Sequence, residues 1–265
     1  MKILFIGAGK MATALASGIA SRNLFPGSTI SACDSSPEAA AAFTAASGFP
    51  CTQGICAAAV SEADVLILAV KPQNVPELAA SFPEFKPGVL LLSICAGLSI
   101  ARLGGYFGAE RIVRVMPNTP LMVGEGASCY ALSDADDADA DAFASRLLGA
   151  LGLCRRVEEN QLDAVTALSG SGPAYFFAFI EALRDGGTAL GLDAELATAL
   201  AVQTMAGAAE MLKQPGADPA LLRQAVTSKG GTTAAALDVM AKADFSGLVA
   251  QLMEAAARRS RELGA

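Results

Sequence analysis

Short apolar runs alternate with helical patterns through the first half of the chain. Runs such as VLILAV at residues 65–70 are typical of strands that are covered on both faces. An alternation of strands and helices favours a parallel sheet, because parallel strands need a crossover between them. The predicted strands are Lys2–Ile6, Thr29–Cys33, Asp64–Val70, Val89–Ile94, Arg111–Met116, Ala127–Leu132 and Leu153–Val157, and the predicted helices include Met11–Arg22 and Pro37–Ser47.

The strand pattern ends near Glu158, and Ala/Leu-rich helical sequence follows it. Breaks at Gly191–Asp193, Pro215–Pro219 and Ser228–Gly231 divide that sequence into helices. We therefore predict an α/β fold, with a Rossmann-type doubly wound sheet over residues 1–157 and an all-helical dimerisation domain over residues 158–265. The helical part is more apolar than one layer of helices can bury, which predicts a homodimer or a larger assembly.

A glycine-rich turn joins the first predicted strand to the first predicted helix. Gly7, Gly9 and Ala12 form a GxGxxA pattern, which gives a tight turn, close approach to a pyrophosphate and close helix packing. The context of strand, turn and helix predicts a dinucleotide site, although a glycine turn without a ligand has the same pattern. The cofactor-binding residues expected at this turn are Ile6, Gly7, Ala8, Gly9, Lys10 and Met11.

The end of the second strand leaves the choice between NAD and NADP open. Asp34 stands where an acidic residue binds the adenosine ribose hydroxyls, which favours NAD. Ser35 or Ser36 can cap the next helix, and such a helix start can accept a 2′-phosphate. No Arg or Lys stands nearby in sequence to bind that phosphate. We expect Asp34, Ser35 and Ser36 to contact the cofactor.

Three later strands end in small residues and prolines. Ligands of open α/β sheets bind beyond the carboxyl ends of the strands, so these loops are expected to line one crevice around the nicotinamide half. Each loop taken alone is also compatible with an ordinary turn. The cofactor-binding residues expected in these loops are Ala69, Val70, Lys71, Pro72, Cys95, Ala96, Gly97 and Asn118.

Composition excludes several classes of partner. The net charge of −7 lacks the basic footprint that nucleic acid requires. The chain has no histidine and its six cysteines form no CxxC pair, which argues against a metal site. The apolar opening run breaks at Gly7, unlike a signal peptide, and no uncharged stretch reaches membrane-spanning length. We predict a cytoplasmic protein without nucleic acid, metal or membrane partners, in which local N–H groups hold anionic ligands.

Two glycine-rich breaks in the second half precede helices. Residues 167–175 read ALSGSGPAY, with Pro173 suited to a first helical turn. Residues 227–233 read TSKGGTT, and this helix start offers N–H groups and hydroxyls to a carboxylate. A simple capped helix start would have the same residues. The turn is expected to need a positive φ at Gly231.

Together these segments resemble the pyrroline-5-carboxylate reductase family over essentially the whole chain. The motifs are IGAGKMA at the start, AVKP at 69–72, PNTP at 117–120, ALSGSGPAY and SKGGTT. The resemblance implies the last step of proline biosynthesis, with NADP(H) preferred as hydride donor and NAD(H) as the second choice. It also implies a carboxylate site at Gly230, Gly231, Thr232 and Thr233, shaped by both subunits. Lys229 departs from the proline that is common in the family.

The expected reaction is hydride transfer to the imine carbon of a cyclic imine, the carbon that becomes C5 of proline. A protonated imine accepts hydride readily, so a chain without histidine suits this reaction, in which positioning dominates. Thr233 is the candidate catalytic residue through the ring nitrogen, although it could bind only the carboxylate. One alternative is a β-hydroxyacid dehydrogenase, which carries a catalytic lysine where residues 172–183 have none. Another is a non-catalytic dinucleotide sensor, which would not need the SKGGTT loop.

Overall fold

A computed structural model describes residues 1–264 of the chain. The strands are β1 (Lys2–Ile6), β2 (Thr29–Asp34), β3 (Cys51–Gln53), β4 (Val65–Leu68), β5 (Leu90–Ser93), β6 (Arg111–Met116), β7 (Gly126–Leu132) and β8 (Gly152–Arg156). The helices are α1 (Lys10–Arg22), α2 (Pro37–Ser47), α3 (Ala57–Glu62), α4 (Val75–Ala80), α5 (Ile100–Phe107), α6 (Ala138–Gly149), α7 (Leu162–Val165), α8 (Gly172–Ala189), α9 (Ala194–Leu212), α10 (Pro219–Ala225), α11 (Thr232–Lys242) and α12 (Phe245–Gly264). A π-helical turn at Thr166–Gly170 separates α7 from α8.

The eight strands form one sheet in the order β3-β2-β1-β4-β5-β6-β7-β8. The chain builds outward from β1 to β3, then returns to the other side of β1 with β4. Ile6 is therefore paired with Cys33 on one side and with Leu68 on the other. This reversal opens a crevice at the carboxyl ends of β1 and β4, where ligands of doubly wound sheets bind. The predicted Rossmann-type fold followed by helices is confirmed.

Two features of the sheet differ from the prediction. β7 runs antiparallel to β6, with Val113 opposite Leu132, so the sheet is mixed rather than parallel. The reason is the connection from Met116 to Gly126, which contains a short 3₁₀ turn instead of a crossover helix. β3 was not predicted, because it has only three residues and little burial, and it forms by pairing with β2.

Alternation along the strands divides the core between the two faces of the sheet. In β1, Ile3 and Phe5 pack on one face, while Leu4 and Ile6 pack on the other. Ala12 is 1% exposed on the first of these faces. Its methyl group keeps the start of α1 close to the sheet, as the GxGxxA pattern predicts.

The described chain divides into two compact units. The first comprises residues 1–171 together with the chain from Ala255 onward, and the second comprises residues 172–254. This division falls after the change from strands to helices near residue 158, because α7 and the π-helical turn are compact with the first unit. No helix among residues 1–264 combines the length and apolarity needed to cross a membrane.

The second unit leaves much apolar surface uncovered within one chain. α8 and α9 approach so closely that a Cβ on Gly187 would lie 3.2 Å from the Ala197 Cβ. Yet Phe177 and Leu190 are 64% and 89% exposed. Apolar exposure of this extent is typical of a surface that another chain covers.

Candidate functional site

Gly7 occupies a position that only glycine can fill. Its φ is +100°, and its N–H donates to the Cys33 carbonyl at 2.8 Å. A Cβ at this position would lie 2.7 Å from the Ala69 carbonyl oxygen. Gly7 therefore lets the chain leave β1 between the ends of β2 and β4.

Unlike Gly7, Gly9 has open space at the position where a Cβ would lie. It is the N-cap of α1, with φ −68° and no side-chain cap. A Cβ on Gly9 would have no heavy atom within 4 Å. An uncapped helix start with open space before it fits the approach of a pyrophosphate, because the helix N–H groups point into that space.

A cleft of about 620 Å³ lies at the crevice between β1 and β4, within the volume range of ligand sites. It brings together these expected cofactor residues: Ile6, Gly7, Gly9, Asp34, Ser35, Ala69, Val70 and Lys71. Its lining does not include the other expected residues, which are Ala8, Lys10, Met11, Ser36, Pro72, Cys95, Ala96, Gly97 and Asn118. The cleft is therefore formed by the ends of β1, β2 and β4, as the topology requires.

A larger groove, of about 1050 Å³, runs along α1. Ala8, Gly9 and Lys10 lie at one end of it and Met122 and Val123 at the other. It follows α1 away from the carboxyl ends of the strands, and Gly9 is the residue that lines both cavities. The smaller cleft is the one that could hold a dinucleotide, because ligands of this fold bind beyond the carboxyl ends of the strands.

Asp34 makes two hydrogen bonds to the backbone. Its Oδ2 accepts from the Ala8 N–H at 2.7 Å, and its Oδ1 accepts from the Ser36 N–H at 2.8 Å. The side chain thus connects the glycine turn to the start of α2. Each carboxylate oxygen retains a further lone pair for a ribose hydroxyl.

The two serines after Asp34 have different surroundings. Ser36 caps α2, since its Oγ accepts from the Ala39 N–H at 3.1 Å and donates to Glu38 at 2.7 Å. Ser35 lines the cleft instead. Lys71 lines the same cleft, so the cleft contains a cation although none stands near Ser35 in sequence. The strand order explains why both residues line one cleft, because β2, which precedes Ser35, and β4, which precedes Lys71, both neighbour β1.

Cys95 ties two of the expected loops together. Its buried thiol lies 3.2 Å from the Val70 carbonyl, to which it donates. Burial raises the pKa of the Cys95 thiol to about 11 and that of Cys33 to about 12. Both thiols are therefore protonated packing groups rather than nucleophiles.

The Asn118 side chain, in the PNTP segment, makes two hydrogen bonds to backbone groups of this chain. The side-chain Nδ2 donates to the Ser169 carbonyl at 3.1 Å, and Oδ1 accepts from the Ala127 N–H at 2.8 Å. Asn118 is 7% exposed. It connects PNTP to the ALSGSGPAY segment.

The ALSGSGPAY segment is itself helical at its start, rather than a break before a helix. The Ser171 N–H donates to the Thr166 carbonyl at 2.8 Å, which is the spacing of a π-helix. A Cβ on Gly170 would collide with the Met116 side chain. π-helical turns occur often at functional sites, and this one places small residues against the end of β6.

The Gly-Gly-Thr-Thr segment starts α11 in the second unit. Gly231 is the N-cap, with no side-chain cap, and its N–H donates to the Ser228 carbonyl at 3.0 Å. The expected positive φ at Gly231 is wrong, because its φ is −80° and the positive φ of +72° belongs to Gly230. Lys229, Gly230 and Thr232 are exposed. The uncapped N–H groups of this helix start fit a small carboxylate.

Within residues 1–264, no cluster of three or more His, Cys, Asp or Glu side chains is arranged to hold a metal ion. The six cysteines are free thiols.

Comparison with known proteins covers the whole chain. Residues 159–263 match the family model for pyrroline-5-carboxylate reductase dimerisation, and residues 2–97 match that for NADP oxidoreductase, coenzyme F420-dependent. The chain is 41% identical to the pyrroline-5-carboxylate reductase of Arabidopsis thaliana, over 99% of this chain and 95% of that protein. It is also 41% identical to that of Pseudomonas aeruginosa, over 99% and 96%. The structure of Plasmodium falciparum pyrroline carboxylate reductase with NADP bound superposes with a TM-score of 0.86, at 31% identity, over 100% and 98% of the two chains.

Proposed function

The chain belongs to the pyrroline-5-carboxylate reductase family, and from that premise we propose that it reduces 1-pyrroline-5-carboxylate to L-proline. The observation that carries the proposal is the uncapped start of α11 at Gly231, which lies in the SKGGTT motif. An acidic chain with a net charge of −7 needs such a local anion site for a carboxylate substrate. We assign the carboxylate to the N–H groups and hydroxyls of Gly230, Gly231, Thr232 and Thr233.

NADP(H) is the preferred cofactor in this proposal, with NAD(H) as the second choice. The cofactor supplies the hydride, from C4 of the nicotinamide. Gly9 leaves room for the pyrophosphate, and Lys71 provides a positive charge in the cleft that Ser35 also lines. Asp34 opposes this preference by its negative charge in the same cleft. The remaining contacts come from Ile6, Gly7, Ala8, Lys10, Met11, Ser36, Ala69, Val70 and Pro72, with Cys95, Ala96, Gly97 and Asn118 towards the nicotinamide.

The residues contribute mainly by holding the two reactants in place. The substrate imine is protonated on its ring nitrogen, which makes the imine carbon electrophilic; this carbon is C2 of the pyrroline ring and becomes C5 of proline. The imine carbon gains the hydride, and the C=N electron pair moves to nitrogen to give the amine of proline. The N–H groups of Thr232 and Thr233 fix the carboxylate beside Gly230 and Gly231, because the Gly231 N–H already donates to the Ser228 carbonyl. The Thr233 hydroxyl hydrogen-bonds the ring nitrogen. Such positioning accounts for a rate increase without a histidine, which the chain lacks.

The active form in this proposal is a homodimer or an assembly of dimers. Exposed apolar side chains such as Phe177 and Leu190 belong to the part of the chain that matches the dimerisation model. A partner surface that covers them would stabilise both chains. Light scattering at micromolar concentration is expected to give at least twice the chain mass, and a monomer mass would contradict the proposal.

We place the protein in the cytoplasm, since six free thiols suit a reducing compartment. Its partners are the small-molecule substrate and a second copy of itself, without nucleic acid, membrane or metal. Residues 1–157 form the dinucleotide-binding domain in this proposal, and residues 158–265 form the dimerisation and substrate domain.

The experiment is to mix the protein with NADPH and pyrroline-5-carboxylate and to follow the absorbance of the reduced cofactor and the formation of proline. Turnover with either NADPH or NADH is expected. No turnover in a folded sample would overturn the proposal. Turnover of NADP⁺ with a β-hydroxy acid instead would favour the dehydrogenase alternative, and tight dinucleotide binding without any turnover would favour a sensor.

A further inference from the structure

Ser260 is the only buried residue of α12 within the described chain, at 2% exposure. Its hydroxyl donates to Asp163 Oδ1 at 2.6 Å. A buried serine with a short bond to a carboxylate holds its helix turn in one position, because the alternative leaves a buried polar group unpaired. The last turns of α12 are therefore fixed against α7.

These turns pack closely against the loop that follows β5. Gly97 in that loop has φ +81°, and a Cβ on it would lie 2.9 Å from the Ser260 carbonyl oxygen and 3.0 Å from the Leu263 Cβ. A Cβ on Gly264 would in turn collide with the Gly97 carbonyl. Arg102 adds a bond from Nη1 to the Gly264 carbonyl at 2.6 Å. The Cys95–Gly97 loop thus has backbone-to-backbone contact with the end of α12.

An ion cluster around the buried Arg114 guanidinium, with two partly exposed carboxylates, holds the far end of the same loop. Arg114, 7% exposed, lies 3.0 Å from Glu159 Oε1 and 3.7 Å from Asp163 Oδ1. Glu159 Oε1 also accepts from the Ile100 N–H at 2.7 Å, at the start of α5. Of the two carboxylates beside Arg114, Glu159 therefore holds Ile100, which follows the loop, and Asp163 holds Ser260, which packs over the loop.

The near end of the loop reaches the dinucleotide cleft. The Cys95 thiol donates to the Val70 carbonyl, and Val70 lines that cleft. A shift of the loop would move the wall of the cleft on the β4 side, because packed groups transmit displacement. The Asp34 side of the cleft shares none of these contacts.

We propose that Ser260 and Asp163 are positioning residues for the nicotinamide end of the cofactor, acting through the Cys95–Gly97 loop. This inference rests on the proposed function for its turnover readout. Neither residue touches the cleft, so neither is catalytic. The hydrogen bond fixes α12, α12 fixes the loop, and the loop fixes the surface on which the nicotinamide lies.

The test compares Ser260→Ala with wild type. This change leaves the Arg114 ion pairs in place, so no buried charge loses its partner. NADPH affinity and kcat with pyrroline-5-carboxylate are expected to fall at least about threefold, the scale on which connected networks transmit a change. Binding of 2′,5′-ADP, which contains only the adenosine half, is expected to stay within about twofold of wild type. The isotope effect on kcat with NADPH deuterated at both C4 positions is expected to rise, because misplacement slows hydride transfer itself.

A matched control is Ser145→Ala, because Ser145 is exposed on α6 and bonds only to its own helix at Ala142. It is expected to match wild type in every readout. A second variant, a chain ending at Glu262, removes the contacts of Leu263 and Gly264 with Gly97 without touching the ion cluster. It tests the link from α12 to the loop and is expected to behave like Ser260→Ala, and wild-type behaviour of this variant would overturn the inference even if Ser260→Ala does not fold.

NADPH affinity and turnover within threefold of wild type would overturn the inference, and so would an equal loss of 2′,5′-ADP affinity. If wild type binds NADPH but never turns over the imine, the proposed function fails by itself. The ratio of NADPH to 2′,5′-ADP affinity then decides the role of Ser260, with a selective loss for NADPH supporting it and an unchanged ratio overturning it.

Discussion

Asp34 accepts a hydrogen bond from the Ala8 N–H at 2.7 Å, so a side chain at the end of β2 fixes the turn that follows β1. The same carboxylate accepts from the Ser36 N–H, before α2. In the proposed cofactor site, Asp34 is therefore expected to affect binding in two ways, by holding the glycine turn and by placing a negative charge beside the adenosine ribose. The two effects have different consequences for NADH and NADPH.

Replacing Asp34 by Ser is expected to lower kcat/KM for both cofactors and to raise the ratio of NADPH to NADH. The shorter side chain cannot bridge Ala8 and Ser36, and the loss of bonds to a charged acceptor is worth about tenfold or more. Removal of the negative charge favours the 2′-phosphate, which only NADPH carries. Steady-state kinetics with both cofactors measures this, and an unchanged ratio would show that the Asp34 charge does not act on the phosphate.

Gly7 and Gly9 are expected to respond differently to the same substitution. Gly7→Ala places a Cβ against the Ala69 carbonyl at φ +100°, which is expected to lower the free energy of unfolding by about 2 kcal/mol or more. Gly9→Ala meets no protein atom, so thermal unfolding is expected to stay near wild type while NADPH affinity falls about tenfold or more. Calorimetry and NADPH titration check both variants. Unchanged NADPH affinity in Gly9→Ala would show that the pyrophosphate does not bind next to Gly9.

Gly231→Val is expected to lower kcat/KM for pyrroline-5-carboxylate about tenfold or more, with NADPH affinity unchanged. A side chain here displaces the carboxylate from the N–H groups, and each lost bond to a charge is worth about 1.5–3 kcal/mol. A Cβ at Gly231 also meets the Ser228 hydroxyl, so local crowding needs its own control. The double variant Ser228→Ala, Gly231→Ala removes that hydroxyl. Full recovery of substrate kinetics in it would contradict direct carboxylate binding at Gly231.

Asp137 is expected to stabilise the fold in a pH-dependent way. Hydrogen bonds from the Arg111 guanidinium, at 2.7 and 2.9 Å, lower the pKa of the Asp137 carboxyl to about 2. Because the folded pKa lies below the unfolded one, the stabilisation is fully present above about pH 4 and is lost as pH falls towards about 2. Asp137→Asn is expected to lower the free energy of unfolding at pH 7 by about 1–2 kcal/mol, with the difference from wild type narrowing below pH 4.

Urea unfolding at one fixed protein concentration, between pH 7 and pH 3, measures that difference. Asp136→Asn is the control, since Asp136 is the exposed neighbour in the same acidic run and is expected to change little. A gap between Asp137→Asn and wild type that stays constant down to pH 3 would contradict the assignment.

The features that could be predicted from the sequence are those that depend on residues close together in the chain. Gly7 and Ala12 could be assigned because strand, turn and helix are contiguous, and the helix breaks of the second half were found from Gly and Pro. β3 was missed because its three residues pair with β2 rather than burying apolar side chains, and the cleft residue Gly54 behind it was missed as well. The direction of β7 depends on the length of one connection, which an apolar pattern does not report.

Contacts distant in sequence could not be read from the motifs. Lys71 and Ser35 line one cleft because β2 and β4 both neighbour β1, which is a property of strand order. The PNTP motif does not report that the Asn118 amide connects Ser169 and Ala127, and the cofactor contact expected of Asn118 stays a prediction. The position of positive φ at Gly230 rather than Gly231 depends on how the chain enters α11, and both glycines satisfy the same sequence pattern.

The most direct test of the account follows the hydride itself. The protein is mixed with pyrroline-5-carboxylate and NADPH that carries deuterium at both C4 positions, and the product is analysed by mass spectrometry and NMR. The account predicts L-proline with a single deuterium, bound to C5 of proline, because this carbon is the imine carbon of the substrate and receives the hydride directly from the cofactor. Proline without deuterium, deuterium at another carbon, or no proline from a folded protein that binds NADPH would contradict it.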